Sequence, residues 1–116
     1  MTMAMTDFAP FGDPPYYAVI FSSQNREDLT GYTDMAARLE ELAKEQPGYI
    51  GIESLRDANG FGITISYWTD EDAVRNWKAV AEHKGAQRLG KSRWYAHYRL
   101  RVARIERQYE GPEGRS

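Results

Sequence analysis

Two side chains in this chain of 116 residues could move protons to and from a ligand. His83 is a candidate general acid or base, because an unperturbed imidazole titrates near neutral pH. Glu53 lies in the middle of a predicted strand, where a covered carboxylate must be paired or have a raised pKa. It is either an alternative base or the electrostatic complement of His83. Both residues could instead have purely structural roles. His83 could form a hydrogen bond with a neighbour at the flank of its helix, and Glu53 could form a salt bridge with an arginine of the last strand.

Four further residues have the chemistry to contact a planar ligand. Trp68 and Trp77 could form walls that orient a flat ring by stacking, although core packing explains both without a ligand. Gln87 lies beside the apolar stripe of the second predicted helix, where its amide could contact a carbonyl oxygen or a water. Tyr98 carries a usable proton in the last predicted strand.

These residues lie on six predicted elements. Runs of aromatic and β-branched residues predict strands, and apolar residues at spacings of three and four predict helices. In chain order the elements are a strand over 16–22, a helix over 31–46, strands over Tyr49–Arg56 and Phe61–Trp68, a helix over 70–90 that Thr69 or Asp70 caps, and a strand from about 92 to 109.

The order β-α-β-β-α-β predicts a ferredoxin-like α+β fold, in which a four-stranded antiparallel sheet carries two helices on one face. The last strand is longer than a small sheet can cover, since a mean strand has about five or six residues. We therefore expect a homodimer, in which the free sheet faces of two copies close into a barrel and the last strands bridge the subunits.

An Asn-Gly pair at residues 59–60 predicts a two-residue hairpin turn. In that register Glu53 lies opposite Ser66, and Gly51 lies opposite Trp68. The missing side chain at Gly51 would then leave space for the indole or for a ligand.

Length and composition predict one domain over residues 16–109, between a flexible leader at 1–15 and a polar tail at 110–116. The absence of Cys excludes disulfides and thiolate chemistry. No segment has the length of a membrane span or the form of a secretory signal, so a cytoplasmic protein is expected. With His83 and His97 as the two histidines, no metal-ligand spacing occurs and no metal is expected.

An RNA-recognition module shares this order of elements, and residues 59–62 resemble the start of its RNP1 signature. Asn59, however, replaces the basic first residue, and Ile63 replaces the second stacking aromatic. Eight basic residues do lie within residues 84–107, but a solvated strand face accounts for them. We therefore expect no nucleic-acid partner.

The stretch 49–109 resembles the antibiotic biosynthesis monooxygenase-like family of dimeric α+β barrels. The resemblance lies in Pro-Gly-Tyr before the second strand, ITISYW at the end of the third, the acidic start of the second helix, and WYAHY in the fourth strand. It implies a pocket between sheet and helices in which a planar aromatic or quinonoid substrate is deprotonated and its carbanion meets molecular oxygen, without metal or flavin. The candidates listed above would supply that pocket.

The haem-degrading branch of this family carries a Trp followed ten residues later by a haem-ligating His. Trp77 matches the Trp, but Gln87 stands at the His position, and Phe21 or Ser22 stands where that branch has an Asn. Haem is therefore not expected as a cofactor. The remaining alternative to a cofactor-independent monooxygenase is a non-catalytic barrel that binds a small molecule.

Overall fold

The computed structural model describes residues 7–27, 31–83 and 95–112, apart from the side chains of Thr33 and His83. Its elements are β1 (Tyr16–Asn25), α1 (Tyr32–Lys44), β2 (Tyr49–Arg56), β3 (Phe61–Trp68), α2 (Glu71–His83) and β4 (Tyr95–Ile105). The strands form one antiparallel sheet in the order β2-β3-β1-β4. This is the predicted ferredoxin-like α+β fold. Neither of these two helices is long and apolar enough to cross a membrane.

Both helices cover the same face of the sheet, which we call the helix face. Side chains alternate between faces along a strand, and the residues that meet the helices share one alternation. The buried apolar cluster on this face combines Val19 and Trp68 from the sheet with Ala43 from α1 and Ala73 and Val74 from α2. The other face, which we call the open face, is covered by neither of these helices.

The strands β2 and β3 have the predicted bounds, but β1 is longer than predicted. Three polar residues at its end, Ser23, Gln24 and Asn25, continue the pairing with β4. The sequence did not predict this extension, because polar residues at the end of a strand give no apolar β pattern.

The last strand ends earlier than predicted, at Ile105, which pairs with the first residue of β1, Tyr16. The residues before Tyr16 are two prolines, which have no backbone N–H for a ladder. Side chains hold the chain beyond this point, since the Tyr16 hydroxyl donates to Gln108 Oε1 at 2.5 Å and Gln108 Nε2 donates to the Gly12 carbonyl at 2.8 Å. The predicted start of the strand, near residue 92, lies outside the described residues.

The two helices begin differently. The first follows Gly31, whose positive φ of 82° turns the chain into the helix. The second is capped by Asp70, whose Oδ1 accepts a hydrogen bond from the Ala73 N–H at 2.8 Å. This confirms Asp70 as the capping residue, and its carboxylate also suits the positive end of the helix dipole.

The predicted register of the hairpin between β2 and β3 was wrong by one residue. The turn spans residues 57–60, because the Gly60 N–H donates to the Asp57 carbonyl at 3.1 Å and the Asp57 N–H donates to Phe61. Gly60, the last residue of this turn, has a φ of +90°. Because Asp57 pairs with Phe61, the loop between them holds three residues and not the predicted two. Glu53 therefore lies opposite Ile65, not Ser66.

Gly51 also has a different neighbour from the one predicted, since it lies opposite Tyr67 and not Trp68. A Cβ at Gly51 would lie 2.8 Å from both Ala9 Cβ and Pro10 Cδ. The space at this glycine is thus filled by part of the segment that we expected to be a flexible leader, which packs on the open face.

Candidate functional site

The structure places Glu53 on the open face. Its Oε2 accepts a hydrogen bond from the Ala9 N–H at 2.9 Å, and its Oε1 accepts one from the Tyr67 hydroxyl at 3.0 Å. Burial, followed by the hydrogen bond to Glu53, raises the pKa of Tyr67 to about 12. The partners of Glu53 are therefore the leader and a tyrosine, and not the arginine that we considered as its salt-bridge partner.

The two tryptophans lie together on the helix face. Trp68 is fully buried and donates from Nε1 to Ser66 Oγ at 2.9 Å. Trp77 is half-buried and stacks on it, with ring centroids 5.7 Å apart and planes inclined by 22°. A ligand on this face would meet Trp77 first, because protein atoms enclose Trp68 on all sides.

The predicted acid or base lies at a helix end. His83 is the last residue of α2, and its side chain lies outside the described part of the chain, as does all of Gln87. The sheet stands between Glu53 and the helix that carries His83, so the structure does not bring these two candidates together within one subunit.

Tyr98 belongs to a cluster of aromatic side chains on the helix face that we call the phenol cluster. Its other members are Phe21, Tyr32 and Tyr95. Phe21 lies 5.3 Å, between ring centroids, from both Tyr95 and Tyr98. Tyr32, the first residue of α1, meets the ring of Tyr95 edge-on at 5.8 Å.

A β-bulge gives this cluster its geometry. Residues three apart in a regular strand point to opposite faces, yet Tyr95 and Tyr98 are in ring contact at 6.1 Å. The register shifts between Gln24 and Asn25 of β1, so that Gln24 pairs with His97 and Asn25 with Tyr95. The irregularity turns Tyr95 onto the helix face beside Tyr98.

Tyr95 acts as a hydrogen-bond donor at neutral pH, and its hydroxyl donates to Tyr32. Burial raises the pKa of Tyr95 well above its ordinary value, and a hydrogen bond to Tyr32 raises it further. The two hydroxyl oxygens lie 3.5 Å apart. Tyr95 therefore keeps its proton, which suits a group that orients or stabilises an oxygen atom and does not suit a base.

Arg56 brings a positive charge to the edge of the phenol cluster. Its Nη2 donates to Tyr32 at 3.2 Å and to Ser23 Oγ at 2.9 Å, and its Nη1 donates to the carbonyls of Gly60 and Ser23. The guanidinium also lies over the Tyr32 ring, 5.7 Å from its centroid. No carboxylate of the described residues lies within ion-pair distance of this guanidinium. The four groups that accept its hydrogen bonds are uncharged.

Asn25 adds an amide without partners. Both its Nδ2 and its Oδ1 are buried and have no hydrogen bond, a state that costs about 1–3 kcal/mol for an ordinary buried polar group. Asn25 pairs with Tyr95 across the sheet and lines a cleft of about 330 Å³ together with Arg56 and the hairpin turn. The lining of the cleft also includes the charged residues Arg26, Glu27 and Asp57. The phenol cluster adjoins the cleft through the hydrogen bond from Arg56 to Tyr32.

Sequence reasoning identified Tyr98 and missed most of its neighbours. Arg56 and Asn25 are each the last residue of a strand. A polar residue at that position indicates the end of the strand and does not by itself indicate a functional site. Regular alternation would turn Tyr95 away from Tyr98, so the sequence pattern did not predict their contact. No group of three or more His, Asp or Glu side chains converges on a metal-sized site within the described ranges.

The sequence of this chain is similar to those of known proteins. The family model for antibiotic biosynthesis monooxygenases matches residues 15–89. The chain is 51% identical over 96 residues to the uncharacterized protein YqjZ of Bacillus subtilis, across 83% of this chain and 84% of that protein. It is 28% identical over 94 residues to the jasmonate monooxygenase ABM of Pyricularia oryzae, across 77% of this chain but 43% of the fungal protein.

Solved structures share the fold at low sequence identity. SnoaB, a cofactor-independent oxygenase from Streptomyces nogalater, superimposes with a TM-score of 0.64 at 19% identity, over 81% of this chain and 95% of its own. A protein of unknown function from Nitrosomonas europaea gives a TM-score of 0.67 at 12% identity, over 87% and 99% of the two chains. The family model covers more than half of the sequence and YqjZ aligns with most of it, so the chain belongs to the antibiotic biosynthesis monooxygenase family.

Proposed function

We propose that this protein is a homodimeric monooxygenase that oxidises a planar aromatic or quinonoid compound with molecular oxygen and without a metal or organic cofactor. The observation that carries the proposal is the unpartnered amide of Asn25 beside the phenol cluster and the charge of Arg56. Family membership supports it, because SnoaB is a cofactor-independent oxygenase and the Pyricularia relative is a jasmonate monooxygenase.

The reaction needs no external reductant, because the substrate supplies both electrons. A base removes a proton from an acidic C–H group, and the resulting carbanion forms a C–O bond with molecular oxygen. The peroxide takes up a proton, the second C–H proton leaves, and the O–O bond breaks. One oxygen atom stays in the product as a carbonyl and the other leaves as water.

The described residues would stabilise the negative charge that develops on the substrate. The Asn25 amide can donate to a carbonyl or enolate oxygen, and Arg56 supplies positive charge in a half-buried setting, where charge interactions exceed those in water. The rings of Phe21, Tyr95 and Tyr98 offer an apolar wall for a planar ligand.

The remaining site assignments follow the sequence. His83 is the proposed acid or base, Gln87 a polar contact, and Trp77, backed by Trp68, a wall of the pocket. Glu53 is bound to the leader on the opposite side of the sheet, so we do not assign it to this pocket.

The test is oxygen consumption by the purified protein with a panel of hydroxylated anthrones and naphthoquinols, without added cofactor and after treatment with a chelator. Uptake of one O₂ for each carbonyl formed is the expected result. The variant Asn25→Ala removes the amide on which the proposal rests, and it is expected to lower turnover at least tenfold. No uptake with any substrate, together with saturable ligand binding, would favour the non-catalytic binding barrel.

A further inference from the structure

The helix face is packed at one end and open towards the phenol cluster. Val19 and Trp68 are buried beneath the two helices. The next row of side chains towards the phenol cluster crosses the four strands as Ser54, Thr64, Phe21 and Leu100. Ser54 and Leu100, at the two ends of this row, are exposed. The described helices therefore leave space above this row, and a planar ligand can lie there against the sheet.

The floor of this space has two chemically different halves. On the side of β2 and β3 it presents the hydroxyls of Ser54 and Thr64 and, two residues further along β2, the guanidinium of Arg56. On the side of β1 and β4 it presents Phe21 and Leu100, next to the other rings of the phenol cluster. Neighbouring strands are about 5 Å apart, so a flat ring system that spans the floor meets polar groups along one edge and apolar groups along the other.

The Nη groups of Arg56 have no hydrogen bond left to offer a ligand. The two Nη atoms carry four N–H groups, and they make four hydrogen bonds to acceptors of the protein. The guanidinium also lies directly over Gly62, where a Cβ would be 2.7 Å from Arg56 Cζ. Arg56 therefore contributes charge to the polar half, and a ligand oxygen beside it needs a second group for hydrogen bonding.

The hydroxyls of Ser54 and Thr64 can supply that hydrogen bond. They lie 2.7 Å apart, and either one can be the donor. Each hydroxyl has one proton and two lone pairs, so one O–H group remains after their mutual bond. Among the described residues, neither side chain has another hydrogen-bond partner. The pair can therefore donate to a ligand carbonyl or accept from a ligand hydroxyl.

We propose that Ser54 and Thr64 determine substrate specificity by selecting a fused-ring compound whose oxygen atoms all lie along one edge. One oxygen atom lies near Asn25 and Arg56, and another binds the hydroxyl pair, about 7 Å from Arg56 along β2. The edge without oxygen atoms lies against the phenol cluster. This inference rests on the proposed function and deepens it by specifying the oxygen pattern of the substrate.

Two isomers that differ in the position of one hydroxyl provide the test. In 1,8-dihydroxyanthrone the carbonyl and both hydroxyls lie on one edge, whereas 1,5-dihydroxyanthrone has one hydroxyl on the opposite edge. Calorimetric titration of the purified protein in the absence of oxygen measures both dissociation constants without turnover. The wild type is expected to bind the first isomer at least about fivefold more tightly, which is the effect of one neutral hydrogen bond.

The double substitution Ser54→Ala with Thr64→Val removes both hydroxyls with little change in shape and is expected to abolish the preference. The ratio of the two constants compares isomers on the same protein, so a partial loss of folded protein cancels. The matched control is Ser22→Ala, which removes a hydroxyl from the open face, where Ser22 pairs with Ile63. This control should keep the wild-type ratio.

Three results would overturn the inference: equal binding of the two isomers by the wild type, a preference that survives in the double variant, or binding of neither isomer. Oxygen consumption in air separates the inference from the proposed activity. A hydroxyl-dependent preference without oxygen uptake contradicts only the monooxygenase. Oxygen uptake without a preference contradicts only the role of Ser54 and Thr64.

Discussion

Arg56 donates a hydrogen bond to the Tyr32 hydroxyl at 3.2 Å while its guanidinium lies over the same ring. The contact joins the end of β2 to the first residue of α1, and the other bonds of Arg56 reach Ser23 in β1 and Gly60 in the hairpin turn. One side chain thus fixes four separate pieces of backbone around the phenol cluster. It is half-buried, so these bonds are only partly exposed to competition from water.

Replacement of Arg56 by Met should lower the free energy of unfolding by about 2 kcal/mol or more, because carbonyl and hydroxyl partners lose a charged donor. Arg56→Lys should recover only part of this loss, since an ammonium group lacks the planar fork that reaches several acceptors at once. The control is Arg75→Met in α2, whose ion pairs are exposed and are worth at most about 1 kcal/mol. Urea unfolding measures all three, and equal losses for Arg56→Met and Arg75→Met would contradict the prediction.

The neighbouring amides Gln24 and Asn25 should respond in opposite ways to truncation. Gln24 Nε2 donates to the Asn59 carbonyl at 2.8 Å, so Gln24→Ala should lower the free energy of unfolding by about 1 kcal/mol and leave turnover unchanged. Asn25→Ala removes a buried amide without partners, so stability should stay within about 1 kcal/mol while turnover falls. Paired measurements of urea unfolding and oxygen uptake check both. A large loss of stability in Asn25→Ala would show that the amide is structural.

The order and type of the elements were predictable, because apolar periodicity is a local property that a single chain displays directly. The register of the hairpin was not predictable, since the Asn-Gly pair fits both a two-residue loop and a three-residue loop that ends in a left-handed glycine. The Asp57 carboxylate favours the longer loop, because it accepts hydrogen bonds from the Asn59 and Phe61 N–H groups. Such a network closes only once the turn has formed.

The site was less predictable for a related reason. Its members come from four elements, and one of them, Tyr95, reaches the helix face through a bulge that interrupts the alternation of β4. A similar shift between Tyr49 and Gly51 brings Tyr49 into edge contact with Trp68 at 5.6 Å. Face assignments by strict alternation therefore fail on the far side of each bulge, and both bulges adjoin the aromatic residues of the helix face.

Tyr67 should make stability fall at alkaline pH. Its pKa is raised in the folded state from 10.0 to about 12, so above pH 10 the unfolded chain loses this proton first, and the free energy of unfolding decreases until the folded pKa is passed. Tyr67→Phe should flatten the slope of stability against pH between about 10 and 12. Glu53→Gln, which removes the nearby negative charge, should lower the pKa of Tyr67 and give an intermediate slope. Identical slopes in all three proteins would contradict the assignment.

Gly48 and Gly60 both have left-handed backbones and should differ in their tolerance of a side chain. Their φ angles are +86° and +90°, so a Cβ costs about 1–2 kcal/mol of backbone strain at either position. At Gly60 the nearest atom is the end of the Gln24 side chain at 3.0 Å, which can move aside. At Gly48 a Cβ would lie 2.6 Å from Ala73 Cβ and 2.8 Å from Thr69 Oγ1, at the start of α2. Gly48→Ala should therefore lower the free energy of unfolding by at least about 1 kcal/mol more than Gly60→Ala, as measured by urea unfolding. Equal losses would contradict this prediction, because they would mean that the start of α2 moves aside as easily as the Gln24 side chain.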